Sequence, residues 1–306
     1  MILANLVHLS YNMWCDRPYP DASPHIVAQP YLRFDESLWR DILTAMAEAG
    51  MNALVLDLGD GVRWESHPEI AVENAWTPAK LREELDRVRE LGIEPLPKLN
   101  FSTAHDAWLG PYSRMVSTPQ YYQVCRDLIE EAAELLGRPR FFHLGMDEER
   151  AEHQRHYAYA VMRQHELWWH DLGMLIEAVE STGARAWVWS DQGWSAPEEF
   201  CARMPHRVVQ SNWYYDTTFG EDEVAPQFYG ELAAHGYDQI PTGSNWSSPE
   251  NFDRTVEYCI ERVPADKLLG FLMAPWHPTL EEYRQHHLSA VSQVKAARRL
   301  FERAAG

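Results

Sequence analysis

Cationic side chains are scarce in this sequence, and cysteine follows no pattern. Lys and Arg total 27 against 46 Asp and Glu, a formal charge of -19 over 306 residues. That deficit argues against nucleic acid or an anionic membrane surface as the main partner, because both reward clustered Lys and Arg. A neutral or cationic ligand fits better. Cys15, Cys125, Cys201 and Cys259 are far apart and form no CxxC or Cys/His ligand spacing, so they read as free thiols or core fillers rather than a metal site. A chain of this length, with 45% apolar residues, needs no disulfide staples. No stretch approaches the roughly 20 apolar residues of a membrane span. Met1 to Val7 lacks the basic region and long apolar segment of a secretory signal, so a soluble cytoplasmic protein is expected. No GxGxxG or GxxxxGK motif follows the first apolar run, which removes the usual phosphate cradle. Residues 1–306 show no composition break, linker or short-period repeat, and read as a single domain.

What the chain does have is alternation. Short apolar runs at Leu6 to Ser10, Ala53 to Leu58, Ile93 to Phe101, Phe141 onward, Arg185 to Ser190, Arg207 to Trp213, Asp238 to Gly243 and Leu268 to Ala274 read as strands. Amphipathic stretches separate them. Asp35 N-caps a helix to Ala49, Thr77-Pro78 opens one to Leu91, and Thr118-Pro119 one to Leu136, each followed by glycine. Further helices are expected over Val161 to Ser181, Pro197 to Arg203, Val224 to His235, Pro249 to Arg262 and Leu280 to Ala304. Eight strand and helix pairs in this length predict an α/β fold, a single (β/α)8 TIM barrel, ahead of an open doubly wound sheet.

A barrel puts function at the C-terminal ends of its strands. In the fourth strand, Phe142, Leu144 and Met146 share one face while His143, Gly145 and Asp147 share the other, by the period of two. For Asp147 and Glu148 to serve one pocket, the strand must end there and Glu148 must ride on the following loop. The same alternation turns Asp57, Lys98 and Asn100 inward and puts His8 on the first strand. The ends of the fifth to eighth strands supply Trp189, Asp191, Trp213, Trp246 and Trp276, and loops add Trp14, Trp64, Trp108 and Trp194.

Each of these residues has a plainer reading. Asp57, Lys98, His143 and Asp147 form a mutually paired polar plug in that reading, with His143 a hydrogen-bonding strut. Trp187, Trp168 and Trp169 fit core positions, and Glu149 and Glu152 read as solvated. Indoles at strand ends differ, because there the loops form a cup. Aromatic faces around carboxylates suit a carbohydrate, whose C-H faces stack on rings while its hydroxyls bond to Asp and Asn. Cleaving a glycosidic bond needs one carboxylic acid to protonate the leaving oxygen and a second group to stabilise the cation-like carbon. Glu148 is the candidate acid. Asp147 is its candidate partner, and proximity of the two charges is expected to raise the pKa of one of them.

His143-Leu144-Gly145-Met146-Asp147-Glu148 resembles the His-x-Gly-Gly-Asp-Glu signature of family 20 glycoside hydrolases, the β-N-acetylhexosaminidases. Asp60-Gly61-Val62-Arg63-Trp64 with His67-Pro68-Glu69-Ile70 is similar to that family's segment after strand two, and Thr103-Ala104-His105-Asp106 stands in place of its Pro-Gly-His segment. The resemblance covers residues 50 to 215. It implies an exo-acting glycosidase in which Glu148 is the general acid/base and Asp147 positions a 2-acetamido group whose carbonyl oxygen attacks to form an oxazoline. It further implies that Trp189, Trp213 and Trp276 line the acetamido pocket. His143, Asp57, Lys98, Asn100, His105, Asp191 and Trp246 complete the set of candidate substrate-binding residues, with no metal and no cofactor. Three departures stand out: Met146 replaces the second glycine, Glu149 adds an acid, and Asn5 to Trp14 lacks the arginine expected on strand one. Lys98 is expected near Asp147, holding it ionised.

Two other classes compete. A glycan-binding barrel keeps the indoles without the chemistry. A sugar isomerase or lyase uses Lys98, Asp57 or His143, in one version with a divalent metal on Asp57, His143 and Asp147, although no HxH or HxxxH spacing supports it.

Overall fold

The computed structural model describes residues 1–20, 22–23, 25–220 and 222–304, with side chains through residue 300. Its strands are β1 (Ile2–His8), β2 (Ala53–Asp57), β3 (Glu94–Lys98), β4 (Phe141–His143), β5 (Arg185–Trp189), β6 (Val209–Ser211), β7 (Thr242–Gly243) and β8 (Gly270–Met273). All pair in parallel in one sheet ordered β6-β5-β4-β3-β2-β1-β8-β7. The remaining seam, between β6 and β7, is joined by bridges at Gln210–Gln239 and Trp213–Thr242. Helices α1 (Glu36–Glu48), α2 (Pro78–Glu90), α3 (Pro119–Leu135), α4 (Glu166–Ser181), α5 (Pro197–Arg203), α6 (Val224–Ala234), α7 (Asn251–Arg262) and α8 (Arg284–Ala304) alternate with them. This is the (β/α)8 barrel that the alternation predicts. No helix among the described residues is long and apolar enough to cross a membrane.

Local chemistry starts the helices where expected. The Asp35 carboxylate accepts from the Ser37 and Leu38 amides at 2.8 and 3.1 Å, and the Thr77 and Thr118 hydroxyls cap α2 and α3. These bonds satisfy donors that a first turn leaves unpaired. Other boundaries moved. The helix expected from Val161 begins only at Glu166, after His165 turns to φ 52°. Strands three, four and seven are shorter than their apolar runs, because the residues past Lys98, past His143 and before Thr242 make single bridges or loop contacts rather than a ladder.

The barrel interior is filled by Ile2, Ala4, Leu6, Ala53, Val55, Leu96, Phe141, Trp187, Val209, Ile240 and Leu272. Trp187 is core, as its position implies, with its indole N-H donating to Ser211 Oγ at 2.8 Å. Above this apolar filling lies a polar layer. Register aligns His8 with Asp57, Asp57 with Lys98, and Lys98 with His143 across β1 to β4. Lys98 Nζ donates to Asp57 Oδ2, and His8 Nδ1 stands 3.2 Å from the same oxygen. Burial works against the Asp57 charge, yet Lys98 and His8 outweigh it and hold the carboxyl below its ordinary range. Buried charges persist when paired in this way.

Candidate active site

The two acids are presented by a backbone that leaves the strand abruptly. Beyond β4, Gly145, Met146 and Glu148 take φ of 72°, 74° and 53°, the left-handed region that L-residues avoid. Gly145 is required: a Cβ there would collide with the Asn100 side chain. Met146 accepts the strain, its side chain buried in the layer between strands and helices. These turns bring Asp147 and Glu148, adjacent in sequence, onto the wall of the same pocket.

Neighbouring strand ends hold them. Asn100 Nδ2 donates to Asp147 Oδ1 at 2.8 Å, and the Ser102 hydroxyl donates to the Asp147 carbonyl. Asn100 is itself fixed, since its Oδ1 accepts from the Ser102 and Met146 amides. His105 Nε2 donates to Glu148 Oε2 at 3.1 Å and lies 3.4 Å from Asp147 Oδ2. Asp191 Oδ2 accepts the Glu148 amide at 2.9 Å, and Trp213 Nε1 donates to its other oxygen at 3.4 Å. One donor atom each from His105, Asp147 and Glu148 lie within 4.8 Å of one another.

Electrostatics divides the acids differently from the expectation. Burial alone would raise the Glu148 pKa, but the hydrogen bond and charge of His105, with His153 and Arg150, hold it below the ordinary value. His105 is raised: burial disfavours its charge, and Asp147 and Glu148 more than compensate. The acid pushed up is Asp191, to about 7, by burial first and then by the charges of Asp147 and Glu148.

The pocket has a volume of about 520 Å³. Tyr11, Trp14, Trp213, Tyr215, Trp246 and Trp276 provide its aromatic wall, with Asp147 and Glu148 on one side and Ser23, His25, Ile26 and His277 also facing it. Tyr215 stacks on Trp213 at 5.0 Å and 21°. Trp246 is 59% exposed, at the lip.

Of the candidate residues, Asp147, Glu148, Trp213, Trp246 and Trp276 line this pocket. His105, Asn100 and Asp191 stand behind the wall and touch the two acids. Asp57, Lys98, His143 and Trp189 do not reach it. Lys98 is spent on Asp57, not on Asp147. His143 lies beneath, its ring 4.3 Å from that of Trp189, its Nδ1 accepting from the Gly145 amide, and its pKa well below the ordinary value through burial and then the Lys98 charge. Trp189 is buried between His143 and Trp276. The polar-plug reading therefore holds for Asp57 and Lys98 and fails for Asp147. The metal trio of Asp57, His143 and Asp147 is not gathered among the described residues.

Glu149 corrects a further expectation. It is buried rather than solvated, its carboxylate taking Arg163 Nε at 2.8 Å and Nη2 at 2.6 Å. Sequence reasoning passed over Arg163 because it lay inside the expected helix from Val161. It also passed over Tyr11, Tyr215 and His277, although all three follow strand ends, the signal that found their tryptophan neighbours.

No model of a known protein family matches this sequence, and no curated protein matches it. Solved structures resemble its fold. The chain is 16% identical to a Flavobacterium johnsoniae chitobiase of family 20, with a TM-score of 0.63 over 89% of this chain and 49% of that one. It is 15% identical to the Streptomyces plicatus N-acetyl-β-hexosaminidase, TM-score 0.65, over 95% and 63% of the two chains. It is 14% identical to the Vibrio harveyi family 20 exo-β-N-acetylglucosaminidase, TM-score 0.62, over 96% and 54%. The chain thus spans about half to just under two thirds of the length of these relatives in fold.

Proposed function

We propose that this barrel is a glycoside hydrolase that removes a terminal sugar, with Glu148 as general acid/base and Asp147 as the group that orients a 2-acetamido substituent. One observation carries the reading: a carboxylate bound to a buried imidazole, Glu148 on His105, stands beside a second carboxylate pinned by an amide, Asp147 on Asn100, at the wall of an aromatic pocket. The volume suits one or two sugar units, and ligand pockets of about 300–1,000 Å³ are usual. The fold likeness to three family 20 enzymes supports the same reading.

The steps use groups already in place. The acetamido carbonyl oxygen attacks the anomeric carbon as the glycosidic C-O bond breaks, and Glu148 gives its proton to the departing oxygen. Asp147 accepts a hydrogen bond from the acetamido N-H and stabilises the positive charge that develops on the ring being formed. Glu148, now ionised, takes a proton from water as that water attacks the same carbon, which opens the oxazoline and returns the acid. Two displacements give overall retention. The raised pKa of His105 and the lowered one of Glu148 favour the proton between them on the imidazole. A sugar that covers Glu148, whose side chain is a quarter exposed, removes its solvent and shifts that proton toward the carboxylate.

Aryl glycosides with and without a 2-acetamido group test this. Glu148→Gln should lower kcat by about 10²–10⁴ in a protein that thermal melting shows to be still folded. Asp147→Asn should be as damaging only on acetamido substrates. Wild-type activity in both variants would exclude the site. Turnover confined to substrates lacking the acetamido group would keep Glu148 and discard the oxazoline route, and sugar binding without turnover by the wild type would identify a glycan-binding barrel instead.

A further inference from the structure

The pocket wall opposite the two acids is built from histidine. In the strand order, β4 and β8 are four places apart in either direction round the barrel, so His277, which follows β8, lies across the mouth from Glu148. His25, from the segment after β1, stands beside it with ring centroids 5.9 Å apart. Both line the pocket.

His277 is held in one orientation. Its ring lies flat on Tyr283, at 4.4 Å and 7°, and edge-on to His286, at 4.2 Å and 87°. Hydrogen bonds from His286 Nε2 to the Pro275 carbonyl, 2.8 Å, and from His287 Nε2 to that of Pro278, 3.1 Å, clamp the segment on both sides of His277. The Tyr283 hydroxyl also meets His25 Nδ1 at 3.1 Å, so the two pocket histidines share one support. Yet His277 Nδ1 is buried without a hydrogen-bond partner. The ring is therefore rigid with hydrogen-bonding capacity unspent, and a residue so placed on a pocket wall has a donor or acceptor to offer a ligand group.

We propose that His277 and His25 bind the hydroxyl groups at the far end of the sugar whose scissile bond lies at Glu148, and so decide which sugar configuration the pocket accepts. This assignment rests on the glycosidase reading. The chemistry of the pair favours neutral hydroxyls over an anionic substituent. Burial, then the charges of His286, His25 and the other neighbouring histidines, lowers His277 to about 4, and burial followed by Arg33 lowers His25. A neutral imidazole offers one donor and one acceptor, as a hydroxyl does. A carboxylate or sulfate only accepts, and would require a proton that His277 does not hold near neutrality.

The test compares a parent aryl glycoside with its 3-, 4- and 6-deoxy analogues in wild type, His277→Ala, His25→Ala and His277→Gln. Removing the contacted hydroxyl should cost the wild type roughly tenfold in kcat/KM. The alanine variant should show that loss on the parent and little further loss on the matching deoxy substrate, and His277→Gln should recover part of it. Melting temperatures report whether each variant remains folded. Deoxy penalties that are equal in wild type and both alanine variants overturn the assignment while leaving the hydrolase reading intact. A wild-type preference for a 6-sulfated or uronic substrate that is lost in His277→Ala overturns it in favour of an anion site. If the wild type hydrolyses no glycoside, the hydrolase reading falls, and the same comparison is made on binding of the free sugars, followed by tryptophan fluorescence. Absence of binding, or binding indifferent to His277, overturns the subsite as well.

Discussion

Replacing Asp191 with Asn should convert a pH-dependent burden on the fold into a constant one. Asp191 is 2% exposed, and burial, followed by the charges of Asp147 and Glu148, pushes its carboxyl from 3.8 to about 7. The unfolded chain releases this proton near pH 4, whereas the folded chain keeps it to about 7. Between those values the folded state binds more protons, so stability falls as pH rises. The penalty is absent below the unfolded pKa and complete above the folded one. A difference of about three pKa units at about 1.36 kcal/mol each gives an upper bound of about 4 kcal/mol. Asn carries no charge at any pH, and its side-chain oxygen can still accept the Glu148 amide. Urea unfolding of both proteins at about pH 4.5 and about pH 8 reads the effect, with the stability difference moving in favour of the variant by about 2–4 kcal/mol on going to the higher pH. Asp60, also raised to about 7, chiefly by burial, is present in both proteins and cancels. Parallel profiles would refute the argument, because they would mean that Asp191 is already ionised in the folded protein near neutrality.

Other perturbations separate the remaining roles. His105→Phe removes the hydrogen bond and charge that hold Glu148 down while leaving it buried, so the Glu148 pKa, followed by carboxyl carbon NMR, should rise; an unmoved pKa would mean that His105 does not set this proton. Arg163→Met strands the Glu149 carboxylate in the interior and should cost about 3–5 kcal/mol. The double variant with Glu149→Gln should recover much of that loss, and a double variant no more stable than the single would count against the ion pair. Met146→Gly relieves a left-handed residue at φ 74°, worth about 1–2 kcal/mol. It also empties a buried side-chain site worth about 2–5 kcal/mol, so denaturant melts should show net loss of stability; a gain would place the strain above the packing.

The barrel was legible because its signals are local and repeated. Asp35, Thr77 and Thr118 cap helices by bonds to amides two or three residues ahead, which any reading of adjacent residues can anticipate. The period of two placed Asp57 and Lys98 inside, and the end of the fourth apolar run located Asp147 and Glu148. Where contacts joined distant segments, the reading failed. Glu149 reads as solvated until the chain brings Arg163 against it, and Lys98 reads as a partner for Asp147 until β2 and β3 pair in a register that sets it on Asp57.

Sequence by itself determined the fold class, the strand that carries the acids and the indoles at the strand ends, since these depend on periodicity, caps and residue type along a few turns of chain. Tertiary structure alone decided how the charges divide. Glu148 is held down by His105, 43 residues away, and Asp191 is pushed up by its burial and then by acids that reach it from another strand. A pKa depends on burial and on charges a few ångströms distant in space, and neither quantity is written in the order of the residues.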